Sequence, residues 1–235
     1  MAKNLTILSH NPDGLWWGSE GSKQSNGKQG RMDVELPFVE GLHGKIDIIC
    51  IQESHLQDIH LEGMPQKLYG FNWKHGTAST QDKAAGVSIG YRHWMPDPIN
   101  LLDLFKTEYG EAHFVQEFKE LHLLEGRLMV MVFQLQDKNI IIANFYGYPT
   151  DKRSTGESGG TAADGYNLIY NATRMVEYLT KLWTNKQSVK GADTAVIFAG
   201  DFNAASYAIE MENWNLQARV GKKPTQSRSD TRNRS

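Results

Sequence analysis

The sequence predicts an α/β fold in which a mixed sheet, or two packed sheets, is flanked by helices. Three observations predict it. Short runs rich in Ile and Val have the composition of strands buried on both faces. One long segment repeats its apolar residues at steps of four and three, as an amphipathic helix does. A hairpin-length polar loop separates two of the strands, so strands and helices alternate only in part, which argues against a doubly wound parallel sheet.

The predicted strands are Leu5–Leu8, Ile46–Ile51, Val87–Tyr91, Leu128–Leu135, Ile140–Tyr146 and Ala195–Ala199. Gln136-Asp137-Lys138-Asn139 is short enough to join its two flanking strands as an antiparallel pair. The clearest helix is Tyr166–Lys186, where Leu168, Ala172, Met175, Leu179 and Leu182 form one stripe and Asp164 is placed to cap the start. A second helix is expected within Arg31–His43, with Met32, Val39 and Leu42 on one side and Pro37 marking a start or kink. Between Leu101 and Glu125 the pattern leaves the elements open. Trp17–Gly30 and Asp151–Gly165 read as loops by composition. The second is rich in glycine, but no Gly-Lys-Ser/Thr follows, so a surface loop beside a site is expected and not a P-loop.

Composition narrows the function classes. At 235 residues, with 40% hydrophobic and 22% charged, the chain has the size and make-up of one globular domain over residues 1–235. The run Leu5–Leu8 is too short for a signal-peptide core, and no apolar stretch approaches the roughly 20 residues of a membrane helix. An intracellular protein, nuclear or cytoplasmic, without a membrane partner is expected. The single cysteine, Cys50, lies in an apolar run and reads as a buried core thiol, which excludes an internal disulfide and a cysteine-based zinc site. The net charge of −2 gives no global attraction to nucleic acid. Arg219, Lys222, Lys223, Arg228, Arg232 and Arg234 could meet phosphates, although a solvated tail is the preferred reading.

Three predicted strands end in residues that an apolar core does not select. Leu5–Leu8 is followed by Ser9-His10-Asn11, Ile46–Ile51 by Gln52-Glu53, and Ala195–Ala199 by Gly200-Asp201-Phe202-Asn203. Strand carboxyl ends are where α/β sheets bind ligands, and a carboxylate directly after a buried strand is costly unless something neutralises it. Two carboxylates and an amide converging there would make a hard oxygen site suited to Mg²⁺ or Mn²⁺. Each residue also has a plain reading: Glu53 as a helix cap or surface acid, Asp201 and Asn203 as Asx-turn formers, His55 and His60 as surface residues.

The motifs carry a resemblance. Gly200-Asp201-Phe202-Asn203 after an apolar strand, Asp47-Ile-Ile-Cys-Ile-Gln52-Glu53, the opening Ser9-His10-Asn11, Gly86-Val-Ser-Ile89, and Gly126-Arg127 before Asn144-Phe145-Tyr146 and Pro149 resemble the endonuclease/exonuclease/phosphatase superfamily. Gln52-Glu-Ser-His-Leu56 and Gly126-Arg127 look most like the apurinic-type endonuclease domain of non-LTR retrotransposons. The resemblance implies a four-layered α/β/β/α sandwich of two mixed sheets flanked by helices, one Mg²⁺ or Mn²⁺ ion, and a DNA-nicking activity; the oligomeric state is left open, with a monomer preferred. It implies that Glu53 holds the metal and that Asn11 orients metal or phosphate. It gives proton acceptance to Asp201, a hydrogen bond to phosphate oxygen to Asn203, and contact with phosphate or leaving oxygen to Tyr146 and Asn144. Arg127 is implied on a phosphate, with a structural ion pair as the alternative.

The sequence departs from the pattern twice. Tyr146-Gly-Tyr148-Pro149-Thr150 is one residue longer than the usual Tyr-x-Pro-Asn, and Tyr146 is preferred as the residue facing the phosphate. The resemblance also implies a closing Ser-Asp-His motif, whereas no histidine follows His122. A domain lacking its C-terminal strands and an impaired activity are therefore expected. Two alternatives stand beside the endonuclease: a phosphatase or phosphodiesterase on a small phosphorylated molecule, and a degenerate non-catalytic relative that binds nucleic acid.

Overall fold

The apolar runs pair into two mixed sheets. The structure, a computed structural model, describes residues 4–12, 45–56, 58–61, 67–68, 70–77, 85–118, 121–136, 138–148, 162–187 and 193–203. The first sheet contains β1 (Ile7–His10), β2 (Ile48–Ile51), β3 (Lys67–Leu68), β4 (Phe71–Gly76) and β5 (Val87–Arg92) in the order β1-β2-β5-β4-β3. β1 and β2 are parallel, and the other pairs are antiparallel. The second contains β6 (Ile99–Asn100), β7 (Leu128–Gln134), β8 (Lys138–Tyr146) and β9 (Asp193–Asp201) in sequence order, with only β8 and β9 parallel. The expected hairpin is present as β7 and β8.

Alternation along β7 and β8 builds two cores. Met129, Met131, Phe133, Ile140, Ile142 and Tyr146 face Ile48, Cys50, Val87, Ile89 and Tyr91 of the first sheet. Leu128, Val130, Val132, Ile141, Ala143 and Phe145 face the helices. These helices are α2 (Leu101–Tyr109), α3 (Glu111–Glu117), a 3₁₀ turn at Leu121–Leu124, and α4 (Ala162–Gln187); a single turn, α1, spans Asp58–Leu61. The stripe foreseen on α4 is buried, with Leu168, Ala172, Met175 and Leu179 joined by Trp183. Cys50 is a buried thiol, pushed up to about 12 by desolvation. Ile49, Ile51, Phe71 and Trp73 alternate with the inter-sheet residues and are also buried. Three layers, helix on sheet on sheet, are thus in view. The helix expected within Arg31–His43, the loop Trp17–Gly30 and the basic run from Arg219 lie outside the described residues.

Several boundaries differ from expectation. β1 runs two residues later than Leu5–Leu8, because its pairing extends from Ile7 opposite Ile48 to His10 opposite Ile51. β9 is nine residues long and not five, since it matches β8 residue for residue, so Asp201 is its last residue. Neither is buried on both faces: every described side chain of β1 and β9 is partly or fully exposed. Helix α4 begins at Ala162, within the expected loop, and Asp164 falls inside its first turn instead of at the cap. The open region after Leu101 resolves into α2 and α3. Asn100 caps α2 by accepting from the Leu102 amide at 3.1 Å. β4 was not foreseen, because Phe71 and Trp73 alternate with Asn72 and Lys74 in too short a run.

Candidate active site

Parallel pairing brings the carboxyl ends of β1 with β2, and of β8 with β9, to one end of the sandwich. The side chains there join across the sheets. Asp201, opposite Tyr146 in register, accepts from Asn11 Nδ2 at 2.7 Å through Oδ2. Its Oδ1 accepts from the Asn203 amide at 3.0 Å, the Asx-turn the sequence allowed. Both carboxylate oxygens are therefore oriented. Asn203 donates its Nδ2 to the Gly147 carbonyl at 3.0 Å, which ties the end of β9 to the end of β8.

On the facing sheet, Glu53 follows β2 and is buried, and its carboxylate accepts a hydrogen bond from the Tyr146 hydroxyl. Burial raises the Tyr146 phenol far above its ordinary value. The hydrogen bond and charge of Glu53 and the charge of Asp201 add to the rise, and Arg127 opposes it. Tyr146 is thus a neutral donor to Glu53 that also feels the charge of Asp201, and of the two candidate tyrosines it is the one that meets Glu53. Tyr148 instead stacks on Arg127, whose guanidinium lies 4.3 Å from the Tyr148 ring and 4.9 Å from the Tyr146 ring. Arg127 is buried and donates from Nη1 to the carbonyls of Tyr146 and Gly147, each at 3.3 Å.

Backbone strain gathers at the same place. Among the described residues, the non-glycine positions with positive φ are Glu53 at 51°, His55 at 54° and Asn203 at 46°. Each costs on the order of 1–2 kcal/mol, which surrounding contacts must offset. The turn after β2 is held by Ser54 N donating to Gly86 O at 2.9 Å and His55 N to Ala85 O at 3.0 Å. His55 is half-buried there and is not the surface residue expected. The His60 side chain lies outside the described residues.

Asn144 sits beneath this layer and is fully buried. It donates Nδ2 to Ile51 O at 2.8 Å and Ser88 O at 2.9 Å, and its Oδ1 accepts from Gln52 Nε2 at 2.6 Å. The sequence signal for Gln52 is a carboxamide directly after a buried strand, and the motif resemblance implies no role for it. His75 and Ser88 form a second pair that sequence reading missed, with Nδ1 and Oγ 2.8 Å apart. Burial lowers the His75 pKa to about 4.

Among the described residues no group of three or more His, Cys, Asp or Glu side chains forms a metal cage. An open magnesium site does not need one, because Mg²⁺ is held by one or two carboxylates with substrate phosphate and water. The oxygen donors of Glu53 and Asn11 are of the type that such a site uses.

The arrangement is a two-sheet α/β sandwich with an oxygen-rich polar site at its strand tips. No protein-family model matches the chain, and no curated protein sequence matches it. Solved structures to which it is similar include the Xenopus laevis APE2 catalytic domain, at 19% identity and TM-score 0.48, covering 84% of this chain and 58% of that one. They also include the AP endonuclease LMAP from Leishmania major, at 15% identity and TM-score 0.48, covering 84% and 54% respectively. The endonuclease domain of TRAS1, a telomere-specific non-LTR retrotransposon, is similar at 18% identity and TM-score 0.41, covering 86% and 61%. The chain thus spans less than two thirds of the length of these structures. No helix among the described residues is long and apolar enough to cross a membrane.

Proposed function

We propose that this chain carries the site of a divalent-metal-dependent phosphodiesterase that nicks DNA in the manner of retrotransposon endonucleases. The observation that supports it most is the 2.7 Å contact of Asn11 with Asp201, which joins residues 190 positions apart at the tips of different sheets. It makes one site of two motifs that resemble the superfamily separately.

Glu53, with the Asn11 carboxamide oxygen, would hold the Mg²⁺ or Mn²⁺ ion; when bound, the ion supplies Lewis-acid stabilisation of charge on a phosphoryl oxygen. The chain's own groups do the rest. Asp201, aimed by Asn11 and by the Asn203 amide, accepts the proton of the attacking water. Asn203 gives one amide hydrogen to Gly147 and directs the other to a phosphate oxygen as charge develops. Tyr146 stays protonated, orients the Glu53 carboxylate, and stands close enough to Asp201 to feel its charge. DNA is the proposed substrate because Gln52-Glu-Ser-His-Leu56 and Gly126-Arg127 resemble retrotransposon endonucleases.

The test is single-turnover nicking of supercoiled plasmid in Mg²⁺ or Mn²⁺, which reads a rate even after a loss of about 10²–10³. Inositol phosphates serve as the competing substrate. Metal-dependent nicking abolished by Glu53→Gln and by Asp201→Asn, with folding intact, is the expected result. Phosphate release from inositol phosphates without nicking would move the reading to a small-molecule phosphatase. DNA binding without cleavage of either substrate would move it to a non-catalytic relative.

A further inference from the structure

One layer of the inter-sheet core, directly behind the site, is polar where the layers beyond it are apolar. Gln52 and Asn144 occupy it, 1% and 0% exposed. Gln52 Nε2 reaches Asn144 Oδ1 at 2.6 Å, Cys50 O at 3.1 Å and Ser9 Oγ at 3.2 Å. Asn144 spends both amide hydrogens on carbonyls of the opposite sheet, Ile51 O and Ser88 O. Four strands, β1, β2, β5 and β8, are thereby fastened at one point. Each side chain of the network lies one or two residues behind a site residue on the same stretch of chain: Ser9 behind Asn11, Gln52 before Glu53, Asn144 before Tyr146. Period-two alternation puts Asn144 and Tyr146 on one face of β8.

From this we infer that Gln52 and Asn144 are a positioning pair, an amide clasp between the sheets that sets where Glu53 meets Tyr146, and that Asn144 does not touch the substrate. The physical reason is that apolar contacts are non-directional and let two sheets settle in several neighbouring registers. A buried network of directional amide hydrogen bonds favours one, because a shift leaves buried donors and acceptors unpaired. Asn144 Nδ2 carries two hydrogens and both have partners inside the protein, so it has none to give a phosphate. The inference rests on the phosphodiesterase reading for its effect on rate, but not for its effect on Tyr146.

The experiment uses Gln52→Met/Asn144→Leu, which removes both amides and keeps their volume, with the shape-preserving Gln52→Met as the second variant should the pair not fold. Two readouts are taken: kcat and KM for metal-dependent nicking, and the ring signal of Tyr146 in protein carrying ¹³C-labelled tyrosine, assigned with Tyr146→Phe. The expected result is a lower melting temperature with a cooperative transition retained, since the carbonyls of Ile51 and Ser88 lose their donor, and kcat lower by about tenfold or more, because a misplacement of about 1 Å is that costly. KM should stay within roughly twofold, and the Tyr146 signal should move toward its position in Glu53→Gln. An unmoved Tyr146 signal in a folded variant overturns the clasp. So does a raised KM at unchanged kcat, which would put these amides on the substrate. If the parent chain cleaves no phosphodiester, the functional reading falls while the Tyr146 signal still decides this one.

Discussion

At the scale of the residue, the site is defined by which hydrogens are already committed. Tyr146 donates a hydrogen bond to Glu53, and burial keeps the proton on the phenol. Tyr146→Phe keeps the ring and leaves the carboxylate without this donor. A hydrogen bond to a charged group contributes roughly 1.5–3 kcal/mol, so the metal-dependent rate should fall about 10- to 100-fold while the fold persists. An unchanged single-turnover rate would remove Tyr146 from the mechanism. His75 gives a pH prediction. Its folded pKa of about 4 lies below the ordinary histidine value of 6.5, so below pH 6.5 the unfolded chain binds the proton more readily. Its contribution is complete above pH 6.5 and is lost as pH falls toward 4. His75→Gln should flatten the decline of melting temperature across that window; an identical slope in both proteins would refute the assignment.

At the scale of the element, the end of β8 and the end of β9 come so close that only glycine fits. A Cβ on Gly147 would stand 2.2 Å from the Phe202 carbonyl oxygen, and one on Gly200 would stand 2.1 Å from that of Phe145. Both obstacles are backbone, which has no rotamer to yield. Gly147→Ala must part the strands where Gly147 N donates to Asp201 O at 2.7 Å. We expect a loss of about 1–3 kcal/mol, read as a lower urea midpoint, and a loss of activity larger than for an equally destabilising substitution far from the site. Wild-type stability in Gly147→Ala would show that the strand ends can separate freely.

At the scale of the whole molecule, β7 and β8 contribute one face to the inter-sheet core and the other to the helix-side core. Sharing these strands should couple the two cores into one cooperative unit, the single domain the sequence suggested. Phe133→Ala between the sheets and Phe114→Ala under the helices should each cost about 3–5 kcal/mol. Each should shift one and the same transition, whether followed by tryptophan fluorescence or far-UV circular dichroism. Transitions that separate by probe would mean two independently melting units.

The class of fold, the β7–β8 hairpin, the stripe of α4 and the polar residues at the tips of three strands are legible in the amino-acid order alone. These are local properties: periodicity, apolar runs and turn chemistry act over a few residues and can be read in order along the chain. It did not give the extent of β1 and β9, because a strand ends where its partner ends and the partner is distant in sequence. Nor did it separate Asn144 from Tyr146, two residues apart in one motif with the same implied role. Only the packing of one sheet on the other decided that Tyr146 meets Glu53 while the Asn144 amide is used up between Ile51, Ser88 and Gln52. Hydrogen-bond partners more than 50 residues away depend on how two surfaces meet, and no local pattern encodes that.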